Sequence, residues 1–122
     1  MINYELQHDK GILVLHPDGP LEEEDFISIT SQVDNYLTGH GKLRGLLIHA
    51  KSFPGWNDFA AMLAHLKFLK EHIKKIEKVA VVADGAVANI MPSIAKHFVH
   101  AHVRHFDYLR EEDAWNWIEK TV

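Results

Sequence analysis

Short apolar runs alternate along this chain with stretches of helical spacing. Gly45-Leu46-Leu47-Ile48-His49-Ala50 is almost continuously apolar, the pattern of a strand covered on both faces. Lys51-Ser52-Phe53-Pro54-Gly55 interrupts it, because Pro54 has no donor N–H and Gly55 admits backbone angles closed to other residues. Trp56 to Ile73 then reads as a helix. Phe59, Met62, Leu63, Leu66, Leu69 and Ile73 form its core stripe, while Ala60, Ala61, Ala64 and Phe68 fall on the opposite side. A second apolar patch on a helix points to a cover, which a subunit, a membrane surface or a ligand lid would supply. The plainer alternative is that the alanines favour helix and Phe68 is a lone exposed ring.

The remaining elements are read in the same way. Leu6–Gln7 and Ile12–Leu15 flank Asp9-Lys10-Gly11 and predict an N-terminal hairpin, closed by His16-Pro17-Asp18-Gly19-Pro20. Glu22-Glu23-Glu24-Asp25 opens a helix, where acids complement the positive end of the macrodipole. Phe26, Ile29, Val33 and Tyr36 or Leu37 give that helix its stripe, and Gly39 and Gly41 end it. Val79 to Ala83 predicts another strand, halted by Asp84-Gly85. Ala86 to Phe98 carries Val87, Ile90, Met91, Ile94 and Phe98 at helical spacing, with Pro92 forcing a kink or a restart. A strand over Ala101–Phe106 and a helix opening at Arg110-Glu111-Glu112-Asp113 complete the chain; Ala114, Trp117 and Ile118 are its expected core contacts and Trp115 lies on another face. The order strand, strand, helix, strand, helix, strand, helix, strand, helix predicts one α/β domain over residues 1–122, a mixed sheet packed by helices. Open sheets of this kind bind ligands beyond the carboxyl ends of their strands.

Composition narrows the possibilities. A hydrophobic share of 47% with 25% charged residues belongs to a folded globular chain rather than a disordered one. No cysteine is present, which excludes disulfides and thiolate metal sites and suits a reducing cytoplasm. The N-terminal residues have no secretory pattern, and no apolar run approaches the roughly 20 residues that span a bilayer. The formal charge of −4 argues against nucleic-acid binding. It is unevenly spread, however. Residues 1–40 hold eight acids against one Lys, and residues 42–104 hold ten Lys or Arg against four acids. Lys67, Lys70, Lys74, Lys75 and Lys78 beside Phe68 suit either the negative end of a helix or an anionic membrane surface.

Candidate chemistry is sparse. His97, His100, His102 and His105 cluster in sequence, and His100 and His102 would share one face of a strand as weak zinc or copper ligands. No evident carboxylate partner sits at ligand spacing, so no metal and no cofactor is expected. The four acids of Glu22–Asp25 read as helix-start residues, and Asp84-Gly85 as a turn. No nucleophile elbow, P-loop or dinucleotide fingerprint is present.

At Ala50-Lys51-Ser52-Phe53-Pro54-Gly55-Trp56, Leu66-Lys67-Phe68 and Ile76-Glu77-Lys78-Val79-Ala80-Val81-Val82, the chain resembles the SpoIIAA-like family of small bacterial proteins, with an STAS or CRAL-TRIO-like fold. Val103-Arg104-His105-Phe106-Asp107 and Ala114-Trp115-Asn116-Trp117 match the family's closing strand and helix. The resemblance implies a five-stranded mixed sheet with four helices. Its CRAL-TRIO side implies an apolar cavity for a lipid-like ligand with a helix as gate and peripheral association with the inner membrane. Candidate lining residues are Phe53, Trp56, Phe59, Met62, Leu63, Met91 and Phe98. Its STAS side implies a protein-interaction module, as in antagonists of anti-sigma factors, switched by serine phosphorylation. Ser52 is the hydroxyl nearest the switch position but lacks the Asp-Ser-Ser/Thr-Gly surroundings. Phe68, with Lys67, Lys74 and Lys75, marks a candidate membrane or homodimer surface. The expectations rank a non-enzymatic binder of a small apolar ligand first, an interaction module second and an enzyme of unrecognised type third.

Overall fold

Five strands cross the sheet in their sequence order: β1 (Ile2–Gln7), β2 (Ile12–Pro17), β3 (Leu43–His49), β4 (Ile76–Ala83) and β5 (His102–Asp107). β1 runs antiparallel to β2, and the other pairings are parallel, so the sheet is mixed, as expected. Among the described residues the helices are α1 (Glu23–His40), the short α2 (Met91–His97) and α3 (Glu111–Glu119), the last preceded by a 3-10 turn at Tyr108–Arg110. The structure, a computed structural model, describes residues 2–17, 23–50, 76–85, 88, 91–97 and 101–120. The helix expected over Trp56–Ile73 lies outside the described residues, so a count of four helices is not shown.

β3 is central, and its apolar run is buried on both faces because each face has its own cover. Leu13, Leu15, Leu46, Ile48, Val79, Val81 and Ala83 meet Ile29, Val33, Tyr36 and Leu37 of α1 in one core cluster. Ile12, Val14, Leu47, Ala80, Val82 and Phe106 meet Ala114 and Ile118 of α3 in the other. Successive side chains on a strand point to opposite faces, so a continuous apolar run is what two covers require. Parallel strands laid down in sequence order carry their crossovers on one face. In keeping with this, Met91 at the start of α2 packs on the α1 side.

Several boundaries differ from the sequence reading. β1 begins at Ile2, because β2 offers it partners as far as Pro17. Pro17 belongs to β2 because parallel pairing with β3 is confined to Ile12–Leu15, so its missing N–H leaves no gap in that ladder. α1 passes through Gly39 and stops at Gly41, whose φ of 85° lets its N–H donate to the Leu37 carbonyl at 2.8 Å. At the hairpin, Gly11 takes a φ of 70° and its N–H donates to Gln7 O at 2.8 Å. Pro92 is the second residue of α2, in the first turn, where its missing N–H is tolerated.

Lys78 is the clearest correction. Read from sequence as one of a run of helix-end cations, it sits inside β4, only 6% exposed, on the face covered by α3. Its ammonium donates to the carbonyls of Trp117 and Lys120, both at 2.8 Å, and lies 5.3 Å from the centre of the Trp117 ring. A buried cation thus satisfies carbonyls at the end of a helix, where the macrodipole also favours positive charge. Lys10 adds an exposed ion pair to Glu119 at 2.8 Å, and its hydrogen bond to Glu119 raises its pKa above the ordinary lysine value.

α3 approaches the sheet closely because Gly45 has no side chain: a Cβ built there would overlap the Cγ2 methyl of Ile118. Gly45→Ala is expected to cost about 1–3 kcal/mol, the range for overpacking a filled core. Lys78→Met is expected to cost roughly 1–3 kcal/mol, because two carbonyls lose a common donor. Urea denaturation of the two variants against wild type checks both values.

Candidate functional site

The carboxyl ends of β2 and β3 and the turn after β5 bring together His16, His49, Tyr108 and Glu111. Leu15 pairs with Ile48 in the parallel register, and a histidine follows each of them. The two rings meet edge to face with centroids 5.1 Å apart, and their Nδ1 atoms are 3.2 Å apart. Tyr108 stacks on the His49 ring, at 4.8 Å and 3° between planes. Glu111, in the first turn of α3, places Oε1 3.4 Å from His49 Nδ1. The backbone supports the arrangement: Ala50 N–H donates to Val82 O at 3.0 Å, just past the end of β3.

Two imidazole Nδ1 atoms at hydrogen-bond distance need one proton between them. The Glu111 carboxylate beside His49 Nδ1 favours His49 as donor and His16 as acceptor, since a carboxylate accepts from the same N–H. The His49 side chain is 19% exposed. Its pKa is lowered from the ordinary histidine value, first by burial, which disfavours the charged ring; Glu111 pulls it back up and His16 pushes it further down.

The expected site residues fare differently. Ser52, Phe53, Trp56, Phe59, Met62, Leu63, Lys67, Phe68, Lys74, Lys75, Phe98 and His100 all lie outside the described residues. Met91 is partly buried against the α1-side core. His102 is exposed at the start of β5, and His105 Nε2 lies 3.0 Å from the Ala83 carbonyl, so its partner is a main-chain oxygen. Among the described residues no group of three or more His, Cys, Asp or Glu could hold a metal ion. Asp84 is exposed just past β4.

Two depressions lie on the described surface. One, of about 240 Å³, is lined by Arg104, His105, Phe106, Asp107, Arg110 and Asp113 and is mainly polar; Arg110 Nε donates to Asp113 at 2.7 Å, and the Arg104 guanidinium lies over the Phe106 ring at 4.8 Å. The other, of about 400 Å³, follows the outer face of α1 along Ile27, Thr30, Ser31, Asp34 and Asn35. Beside the first, Leu109 in the 3-10 turn is 93% exposed. Among the described residues, no helix is long and apolar enough to cross a membrane.

The sequence reading passed over the histidine pair. Its signal was nonetheless present: two apolar strands, Ile12–Leu15 and Gly45–Ile48, each end in a histidine. Turning that into a contact needs the parallel register, and Tyr108 and Glu111 join only through the turn after β5.

The lowered pKa of His49 means that the folded protein favours the neutral ring. Its contribution is present above the unfolded value near 6.5 and is lost as pH falls through the folded value. Going from pH 7.5 to 5.5, wild type should therefore lose more stability in urea than His49→Gln does. Equal losses in the two proteins would contradict the assigned environment.

No curated protein and no solved structure gives a match to this chain. A family model described as SpoIIAA-like matches residues 12–119, from the first residue of β2 to the last of α3. That span takes in the whole parallel part of the sheet, and the chain belongs to the SpoIIAA-like family.

Proposed function

We propose that the protein is a non-enzymatic, STAS-type interaction module that docks a protein partner at the carboxyl edge of its sheet. The family match over residues 12–119 carries this reading, since the STAS side of the family implies protein partners. The geometry supports the location. The Tyr108–Arg110 turn is held by the stacking of Tyr108 on His49, and it presents Leu109 almost fully to solvent. An apolar side chain on an ordered turn, flanked by the Arg110–Asp113 ion pair, offers a contact that costs little entropy to dock. Ser52, two residues beyond Ala50, is the position a phosphorylation switch would use.

The carrier of a small apolar ligand, ranked first from sequence, becomes the weaker reading. Its lining residues other than Met91 lie outside the described residues, and Met91 packs against the α1-side core. The membrane-surface and homodimer readings rest on Phe68, Lys67, Lys74 and Lys75, also outside the described residues, and gain nothing from the family match.

Affinity capture from an extract of the source cells, with wild type, Leu109→Asp and Ser52→Asp as bait, tests the proposal. A protein retained by wild type and reduced about tenfold or more by Leu109→Asp, with unchanged circular dichroism, is the expected result; tenfold matches the loss of a modest hot-spot contact. Equal capture by wild type and Leu109→Asp would remove the carboxyl edge as the docking face. A reproducible amphiphile in the native mass spectrum of the purified protein would instead restore the carrier.

A further inference from the structure

α3 is fastened to the sheet by different chemistry at its two ends. At its carboxyl end Lys78 donates to the Trp117 and Lys120 carbonyls, and Lys10 pairs with Glu119. Ammonium groups and main-chain carbonyls keep their charge states between pH 5 and 8. At its amino end the fastening runs through Glu111 to His49, through Tyr108 to the same ring, and from His49 to His16 on β2. Imidazoles are the side chains that titrate in that window. One end of the helix is thus pH-insensitive and the other is not.

We infer that the His16–His49 pair is an acid-released latch, which on double protonation frees the Tyr108–Arg110 turn and the first turn of α3 while the carboxyl end of the helix stays anchored. Among the described residues, the titratable groups facing His49 are His16 from β2, Tyr108 from the 3-10 turn and Glu111 from α3. The first added proton leaves the hydrogen bond intact. With one added proton, whichever ring carries the charge, one Nδ1–H still faces one Nδ1 lone pair. The second proton has only that remaining Nδ1 lone pair to take. Both Nδ1 atoms then carry hydrogens 3.2 Å apart, so the bond is lost and two like charges face each other. His16 is driven away from His49, and the ring on which Tyr108 stacks loses its fixed position.

Amide hydrogen exchange, expressed as protection relative to intrinsic rates, reads the latch directly in the intact protein. From pH 7 to 5, protection of Tyr108–Ala114 in wild type should fall about tenfold more than that of Trp117–Glu119, the scale of one lost hydrogen bond. His16→Gln keeps an acceptor for the His49 N–H but cannot take the second proton, so its protection should stay level over the same range. Equal declines in wild type and His16→Gln, or no decline in wild type, would overturn the inference. Ring-nitrogen NMR of wild type supplies a readout that needs no variant. Two coupled steps for His16 and His49, the second coinciding with the loss of protection, support the latch. Independent titration of the two rings at ordinary histidine values overturns it.

Discussion

The close approach of α3 to the second face of the sheet is the contact on which the rest of the described structure depends. It exists because Gly45 leaves room for the Ile118 side chain at the centre of β3. With Ala114 and Ile118 in place, Ile12, Val14, Leu47, Ala80 and Val82 are removed from water on a face that the α1 side cannot reach. A parallel sheet needs both faces covered, and α1 covers only one. The last helix therefore completes the core, and how it is held becomes a question about the whole domain.

The manner of holding is unequal. Lys78 is a cation buried within a strand, which would carry a large desolvation cost if the end of α3 did not supply acceptors. Its stem also lies along the apolar face it shares with Ala80 and Val82, so the residue is strand, core and helix cap together. The opposite end of α3 is tied by rings and a single carboxylate to the carboxyl ends of β2 and β3. That edge is where an α/β sheet has main chain and side chains available for function. The polar cluster and the exposed Leu109 occur there together, which locates the proposed docking face more sharply than the family match does.

Much of the fold was legible because it rests on local periodicity. The strand at Leu43–His49, the helix at Glu23–His40 and the closing strand and helix all follow from apolar spacing and punctuation by glycine and proline. What was misread involved partners distant in the chain. Lys78 looked like the tail of a lysine-rich helix because sequence spacing shows charge but not the carbonyls 39 and 42 residues away that receive its hydrogens. Gly39 and Gly41 were both read as ending α1, and the cap falls to Gly41, where the backbone turns left-handed. Attention went to the four histidines at 97–105, whereas the ring pair that the structure assembles is His16 and His49, 33 residues apart.

By itself the sequence determined the class of the protein: a mixed sheet with a central strand buried on both faces. These follow from side-chain periodicity and local backbone preference, which act over a few residues. Only the tertiary structure decided that α3 seats over Gly45, that Lys78 caps it, and that His16, His49, Tyr108 and Glu111 share one edge. Those outcomes depend on strand register and on the angle at which a helix lies on a sheet, quantities set by packing the whole core rather than by any one segment.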